Sequence, residues 1–110
     1  MNEQKVKGLI GIAKKAGKIT SGSDKTLEGV RGGGRNGVKL LLCSADASPN
    51  TLKRIKNSSE YYNVPMNTLS IDKEELARIT GYRGGELSVI GIIDAGFAKA
   101  ITEALSEQKQ

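Results

Sequence analysis

The chain has 110 residues, a net charge of +5 at pH 7, no histidine and a single cysteine. This length predicts one domain over residues 1–110, and the lone Cys43 excludes an internal disulfide. Because the sequence has neither a run of about 18 apolar residues nor a charged-then-apolar leader, we expect no membrane span, no secretion and a cytoplasmic protein. Residues 1–56 carry twelve Lys or Arg against four acids, and residues 57–110 carry five against eight. This asymmetry indicates a basic face that meets a polyanion.

Nine segments alternate between helical and strand-like patterns along the chain. The helices show apolar residues at three- and four-residue spacing, and the strands are short apolar runs between turn residues. In chain order we expect helix 3–16, strand 19–21, a helix to about residue 31, strand 38–44, a helix after Ser48, strand 66–71, a helix from the cap Asp72 through residue 80, strand 87–93 and a helix after the cap Asp94. This order predicts an α/β/α sandwich around a largely parallel sheet, because helical crossovers join parallel strands.

Two of the predicted strands differ in their expected position within the sheet. Residues 38–44 are apolar almost without interruption, as in a central strand that is covered on both faces. We therefore interpret Cys43 as a buried small hydrophobe rather than a reactive thiol. The segment at residues 66–71 is less apolar, and we expect it near an edge of the sheet.

Residues that could support catalysis are scarce. The commonest general base and metal ligand, histidine, is absent, and the acids do not cluster with Cys43 at the spacing of metal ligands. Glu74 and Glu75 begin a predicted helix, where carboxylates favour the helix dipole. We therefore predict a non-enzymatic protein with no catalytic residue, no metal and no cofactor.

The stretch from Gly17 to Gly22 matches only the first half of a phosphate-binding loop. It has the glycine spacing of the G-x-x-x-x-G-K-[ST] pattern, but Lys25 lies two positions too late. Asp24 would also place a negative charge beside a bound phosphate, and a helix rather than a long strand precedes Gly17. A nucleotide-dependent enzyme is therefore a disfavoured alternative.

The start of the second helix is a better candidate for binding RNA. A helix N-terminus presents unpaired N–H groups and a partial positive charge to an anion, and Gly22 would let the backbone approach closely. Either Ser23 or Asp24 can cap this helix. The basic residues that could surround the helix start are Lys14, Lys15, Lys18, Lys25 and Arg31. A second polar loop at residues 82–86 would adjoin it only if strand 19–21 runs antiparallel to the last strand, which the pattern leaves open.

Four motifs spread over the chain resemble those of a known family. The first is AGK followed by SG within residues 16–22. The others are LLCSADASP at 41–49, YYNVP at 61–65 and SVIGIIDAG at 88–96. In their order and spacing the sequence resembles the seven-Ae and thirty-e superfamily of ribosomal proteins that bind kink-turn RNA, and in particular its small bacterial YlxQ-like branch. The resemblance covers nearly the whole chain.

This resemblance implies a three-layer α/β/α sandwich with a mixed four-stranded sheet, which would bring the two loops together. It also implies binding to kink-turn RNA, a helix–bulge–helix that bends sharply at tandem sheared G·A pairs and is read by its shape and its unstacked bases. By position, the RNA-binding residues would be Gly22, Ser23, Asp24, Lys25, Glu28 and Arg31 at the second helix, and Arg83, Gly84, Gly85, Glu86, Leu87 and Ser88 in the loop. We expect a monomer that binds ribosomal RNA or a structured mRNA leader. The alternative is a protein-interaction module with only non-specific RNA affinity.

Three positions after the glycine turn depart from the family's common pattern, which has Asn, then Glu or Gln, and a Lys one turn later. Here they are Asp24, Lys25 and Glu28. Asp24 can accept a hydrogen bond from a guanine amino group, and Lys25 can donate to guanine O6 or N7. Glu28 would repel phosphates, so we expect it to pair with Lys25 or Arg31, each three residues away. The alternative for all three is a capped, salt-bridged helix without a role in RNA binding.

Overall fold

The computed structural model describes residues 1–35 and 37–107. These residues form five helices and four strands in the predicted order, with the first strand at its predicted bounds and the other three strands shorter than expected. The elements are α1 (Glu3–Lys15), β1 (Ile19–Ser21), α2 (Ser23–Gly32), β2 (Leu40–Cys43), α3 (Pro49–Tyr62), β3 (Met66–Thr68), α4 (Lys73–Thr80), β4 (Val89–Ile92) and α5 (Ala95–Ser106). Among the described residues, no helix has the length and apolar character that a membrane crossing requires.

The sheet is mixed, with strand order β1-β4-β2-β3. Strand β4 runs antiparallel to both β1 and β2, and only the β2–β3 pair is parallel among the described strands. The expectation of a largely parallel sheet is therefore wrong, whereas the mixed four-stranded sheet is confirmed. The reason lies after α4, where the chain returns to the start of that helix and the Leu87 N–H donates to the Lys73 carbonyl at 2.9 Å. Strand β4 consequently begins at the end of the sheet where β3 finishes.

Two helical layers cover the two faces of the sheet. Side chains alternate along β2, so that Leu40 and Leu42 pack with α1, α4 and α5, and Leu41 and Cys43 pack with α2 and α3. Strand β2 is thus central and buried on both faces, as predicted. Burial raises the pKa of the Cys43 thiol from 9.0 to about 11, which agrees with its interpretation as a core hydrophobe. Strand β3 lies at an edge, as its sequence indicated.

Helix α2 packs unusually close to the sheet. A Cβ at Gly91 of β4 would lie only 2.6 Å from the Thr20 hydroxyl oxygen and 2.9 Å from the Thr26 methyl carbon. The hydroxyls of Thr20 and Thr26 are hydrogen-bonded at 2.8 Å, and Thr26 is fully buried. The first turn of α2 is therefore held firmly against β1 and β4.

Candidate nucleic-acid interface

The N-terminus of α2 begins at a glycine rather than at a polar cap. Gly22 occupies the N-cap position with φ 92° and ψ 153°, a conformation that is essentially restricted to glycine. Its carbonyl accepts the first helical hydrogen bond from Thr26 at 3.1 Å. The expected cap at Ser23 or Asp24 is therefore wrong, because the helix has already begun at Ser23. Among the described residues no side chain caps α2, so its first turn presents backbone N–H groups to an approaching anion.

The loop before β4 lies beside this helix start. Strands β1 and β4 are antiparallel, with Ser21 opposite Ile90. One residue farther along, the Gly22 N–H donates to the Val89 carbonyl at 2.9 Å. The condition that the sequence pattern left open is therefore met, and the two predicted contact segments share one edge of the sheet.

A cleft of about 510 Å³ separates the two segments. We call it the interhelical cleft, and it is lined by Lys14, Ile19, Thr20, Ser21, Lys25, Gly81, Tyr82 and Arg83. Three cations from three different elements converge there, and the described lining contains no acidic side chain. The cleft is thus a concave, basic surface beside a helix N-terminus.

Tyr82 is an aromatic member of the cleft that the predicted contact set did not include. Its side chain is partly exposed, and its ring lies so close to Gly84 that a Cβ there would be 2.7 Å from the Tyr82 ring. Gly85 follows with a positive φ of 81°. These two glycines let the loop fold back under the ring. The sequence signal for Tyr82 was its position in the loop. It follows Gly81, which ends a helix, and it precedes Arg83, which belongs to the predicted contact set.

The second half of the predicted loop set is directed elsewhere. Gly85 and Glu86 line a different cavity, and Glu86 pairs with Lys73 at 3.8 Å. Leu87 is buried in the core, and the Ser88 carbonyl accepts a hydrogen bond from Ser44 at 2.8 Å. In this structure the loop therefore reaches the cleft through its first half.

Lys18 and Arg31 also lie outside the cleft lining. Lys18 precedes β1 at the opposite end of that strand from Gly22, and its carbonyl accepts from the Ile93 N–H at 3.0 Å. The Arg31 Nε donates to the Leu27 carbonyl at 3.4 Å on the side of α2 that faces α3. Of the expected surrounding cations, the structure brings Lys14 and Lys25 together.

Asp24 forms an ion pair that the sequence did not reveal. The Arg54 Nη2 of α3 lies 2.7 Å from the Asp24 Oδ1. The two residues are thirty positions apart, and only the packing of α2 against α3 brings them together. The Asp24 side chain is 90% exposed, so the pair contributes at most about 1 kcal/mol to stability. Its main effect is to offset a negative charge beside the helix N-terminus.

Glu28 does not form the predicted pair with Lys25 or Arg31. Among the described residues it takes part in no ion pair, and its side chain is exposed. The expectation failed because Arg31 turns back toward Leu27 and Lys25 faces the cleft. Glu28 therefore remains a negative charge on the surface of α2.

A cavity of about 750 Å³ lies against α1 and α4. Its acidic lining residues are Glu3, Asp72, Glu74, Glu75 and Glu86. Hydrogen bonds from Arg78 and Lys7 lower the pKa of Glu75 from 4.5 to about 2, so this carboxylate joins α1 to α4 as an ion. The five acids outnumber Lys7 and Arg78 in this lining, so the surface is unfavourable for RNA. Across the described part of the chain, no group of three or more His, Cys, Asp and Glu residues is arranged to hold a metal ion.

Comparison with known proteins gives consistent matches. The family model described as the ribosomal protein L7Ae/L30e/S12e/Gadd45 family matches residues 4–102. RNA-binding protein YlxQ of Enterococcus faecium is 38% identical over 104 residues, which are 94% of each chain. RNA-binding protein YlxQ of Bacillus subtilis (strain 168) is 32% identical over 99 residues, which are 88% of this chain and 91% of the relative.

Solved structures share the architecture. A protein of unknown function from Bacillus halodurans superposes with a TM-score of 0.83 and 28% identity, covering 94% of this chain and 98% of that one. The Giardia lamblia 15.5kD RNA binding protein gives a TM-score of 0.74 at 19% identity, with coverage of 93% and 82%. This second likeness shows the fold alone.

Proposed function

The chain belongs to the ribosomal protein L7Ae/L30e/S12e/Gadd45 family, and from this premise we propose that it is a non-catalytic RNA-binding protein that recognises kink-turn RNA. One observation carries the proposal. The uncapped start of α2 and the loop before β4 meet at one basic cleft, where Lys25 and Arg83 both line the wall. The relatives' names, as RNA-binding proteins, support the same class of function.

The chemistry of the cleft suits a bent RNA with an opened groove. The N-terminal N–H groups of α2 and the Lys25 ammonium can meet phosphates and the O6 and N7 atoms of guanines. Arg83 adds a guanidinium with several donors for a phosphate. Tyr82 offers an aromatic face on which an unpaired base can stack. Regular A-form RNA would present its bases too deep for such contacts, so the site favours RNA that is distorted and partly unpaired.

We propose that the natural target is ribosomal RNA or another structured RNA such as an mRNA leader, and that the protein acts as a cytoplasmic monomer. The family to which it belongs supports a ribosomal or ribosome-associated role. Sedimentation of a cell extract through a sucrose gradient tests this part of the proposal. The protein should migrate with ribosomal particles at low salt, and migration only at the top of the gradient would contradict a ribosomal role.

A second candidate function is a protein-interaction module with only non-specific RNA affinity. Glu28 favours this candidate, because it places an exposed negative charge on the helix that would face phosphates. A protein partner with a complementary cation would tolerate this charge better than RNA would.

One titration separates these functions. The affinity for a kink-turn RNA is compared with that for the same RNA whose G·A pairs are replaced by Watson–Crick pairs, at several salt concentrations. We expect clearly tighter binding to the kink-turn at every salt concentration. Equal affinities with a steep salt dependence would leave only phosphate binding and contradict the proposal. Failure to bind either RNA would favour the interaction module.

A further inference from the structure

A second groove lies between α2 and α3, and of its lining residues only Arg31 is among the predicted kink-turn contacts. It has a volume of about 520 Å³ and is lined mainly by Leu27 and Arg31 of α2 and by Arg54, Tyr61 and Tyr62 of α3. We call it the tyrosine groove. Unlike the interhelical cleft, it is lined by residues of two helices alone.

The aromatic part of this groove is an exposed pair of tyrosines that pack edge to face. The Tyr61 side chain is 82% exposed and that of Tyr62 is 39% exposed. Their ring centroids are 4.8 Å apart with an interplanar angle of 70°, the edge-to-face arrangement that aromatic pairs favour. Tyr62 therefore supports Tyr61, which offers a flat aromatic surface to solvent.

Two guanidinium groups flank this aromatic surface. Arg31 uses its Nε on the Leu27 carbonyl, and Arg54 uses one terminal nitrogen on Asp24. Each guanidinium has further N–H donors in a planar fork, which matches a phosphate. The described lining of the groove contains no acidic side chain.

The tyrosine groove reaches the first turn of α2 through the pair of Arg54 with Asp24. Asp24, the partner of Arg54, precedes Lys25 of the interhelical cleft in the sequence. Arg31 lies six residues beyond Lys25 on the same helix, about 9 Å along its axis. A strand that leaves RNA bound at the start of α2 therefore meets Arg54 beside the first turn and Arg31 farther along the helix.

We propose that the tyrosine groove binds an unpaired RNA strand adjoining the structured RNA, with one base stacked on Tyr61 and phosphates paired with Arg31 and Arg54. Arginines that follow the backbone beside an aromatic platform are the features by which proteins hold single strands. A protein partner is less well matched, because Leu27, the aliphatic member of the lining, is only 4% exposed and offers little surface to bury. The inference rests on the proposed function, since the structured RNA delivers the strand to the groove.

The test uses fluorescence anisotropy with a blunt-ended kink-turn RNA and the same RNA carrying a short single-stranded extension, placed at each end in turn. We expect one extension to tighten binding by the wild-type protein. Tyr61→Ala should weaken binding of that extended RNA about tenfold, the effect of losing one stacked base, and should leave the blunt RNA unaffected. Tyr61→Phe keeps the ring and should bind both RNAs as the wild type does. Arg31→Gln should reduce the gain from the extension, whereas Lys99→Ala on α5 should not.

The outcomes separate the inference from the function on which it rests. If Tyr61→Ala binds the extended RNA as tightly as the wild-type protein does, the inference is wrong, and the surface is left to a protein partner. An equal loss on both RNAs would also overturn it, by making Tyr61 part of the kink-turn site. Replacing the G·A pairs could leave the affinity unchanged while the extension still tightens binding in a Tyr61-dependent manner. In that case the kink-turn proposal is wrong, and the proposed single-strand site in the tyrosine groove is retained.

Discussion

The Gly22 N–H donates a hydrogen bond of 2.9 Å to the Val89 carbonyl. This bond joins the last residue before α2 to the first residue of β4, two segments that lie 67 positions apart in the numbering. It exists because β1 and β4 are antiparallel. As a result, the helix start and the loop carrying Arg83 face the same cleft, and one RNA can contact both.

The conformation of Gly22 should be essential to the fold at this point. Gly22→Ala should lower the free energy of unfolding by about 1–3 kcal/mol, because its φ of 92° and ψ of 153° strain any residue that has a Cβ. A Cβ at Gly22 would meet no atom within 4 Å, so the loss would come from the backbone alone. Urea unfolding followed by circular dichroism measures it.

Gly8→Ala is the matched control for this change. Gly8 is a helical residue of α1, and its added Cβ would likewise meet no atom within 4 Å. Alanine should stabilise this helix by up to about 1 kcal/mol. Destabilisation of both variants by the same amount would contradict the role assigned to the Gly22 backbone.

Lys25 should supply a direct contact to the RNA. Lys25→Ala should weaken kink-turn binding by about 1–3 kcal/mol if the ammonium meets a guanine edge. Lys99→Ala is the suitable control, because Lys99 is exposed on α5, in the opposite helical layer. Lys7 is less suitable, since it pairs with Glu75 at 2.9 Å and its loss would affect stability. Equal losses of affinity for the Lys25 and Lys99 variants would indicate diffuse electrostatic attraction instead.

Glu28 should oppose RNA binding rather than assist it. Glu28→Gln removes an exposed negative charge from α2 and should tighten RNA binding at low salt, with the gain shrinking as salt screens the repulsion. Because Glu28 forms no ion pair with the described residues, the unfolding free energy should change by less than about 0.5 kcal/mol. Isothermal titration at two salt concentrations measures the effect. Weaker binding by the variant would instead make Glu28 a direct contact.

Glu75 should make the protein sensitive to acid. Its pKa of about 2 in the folded chain lies below the ordinary value of 4.5, owing to the hydrogen bonds from Arg78 and Lys7. A carboxyl whose pKa is lowered by folding stabilises the folded state at pH values above its pKa in the unfolded chain. This stabilisation is lost as pH falls from about 4.5 to about 2. Glu75→Gln should therefore flatten the pH dependence of the urea midpoint over this range. The neighbouring Glu74→Gln should keep the wild-type profile, and identical profiles for both variants would argue against the ion-pair cluster.

The sequence by itself determined the features that depend on near neighbours. The order of the nine elements was predictable from apolar spacing, and three caps were predictable because each side chain bonds within its own first turn. Ser48 accepts from Thr51, Asp72 from Glu75 and Asp94 from Phe97. The buried Cys43 followed from the apolar run around it.

Only the tertiary structure decided which of these features act together. The alternation of helices and strands does not specify strand direction, so it could not show that β4 turns antiparallel and brings Arg83 to Lys25. It also could not show the pairing of Asp24 with Arg54, or the separation of Glu28 from the cations beside it. The physical reason is that such contacts join residues far apart in the chain. They form when whole helices pack against the sheet and bury both of its faces.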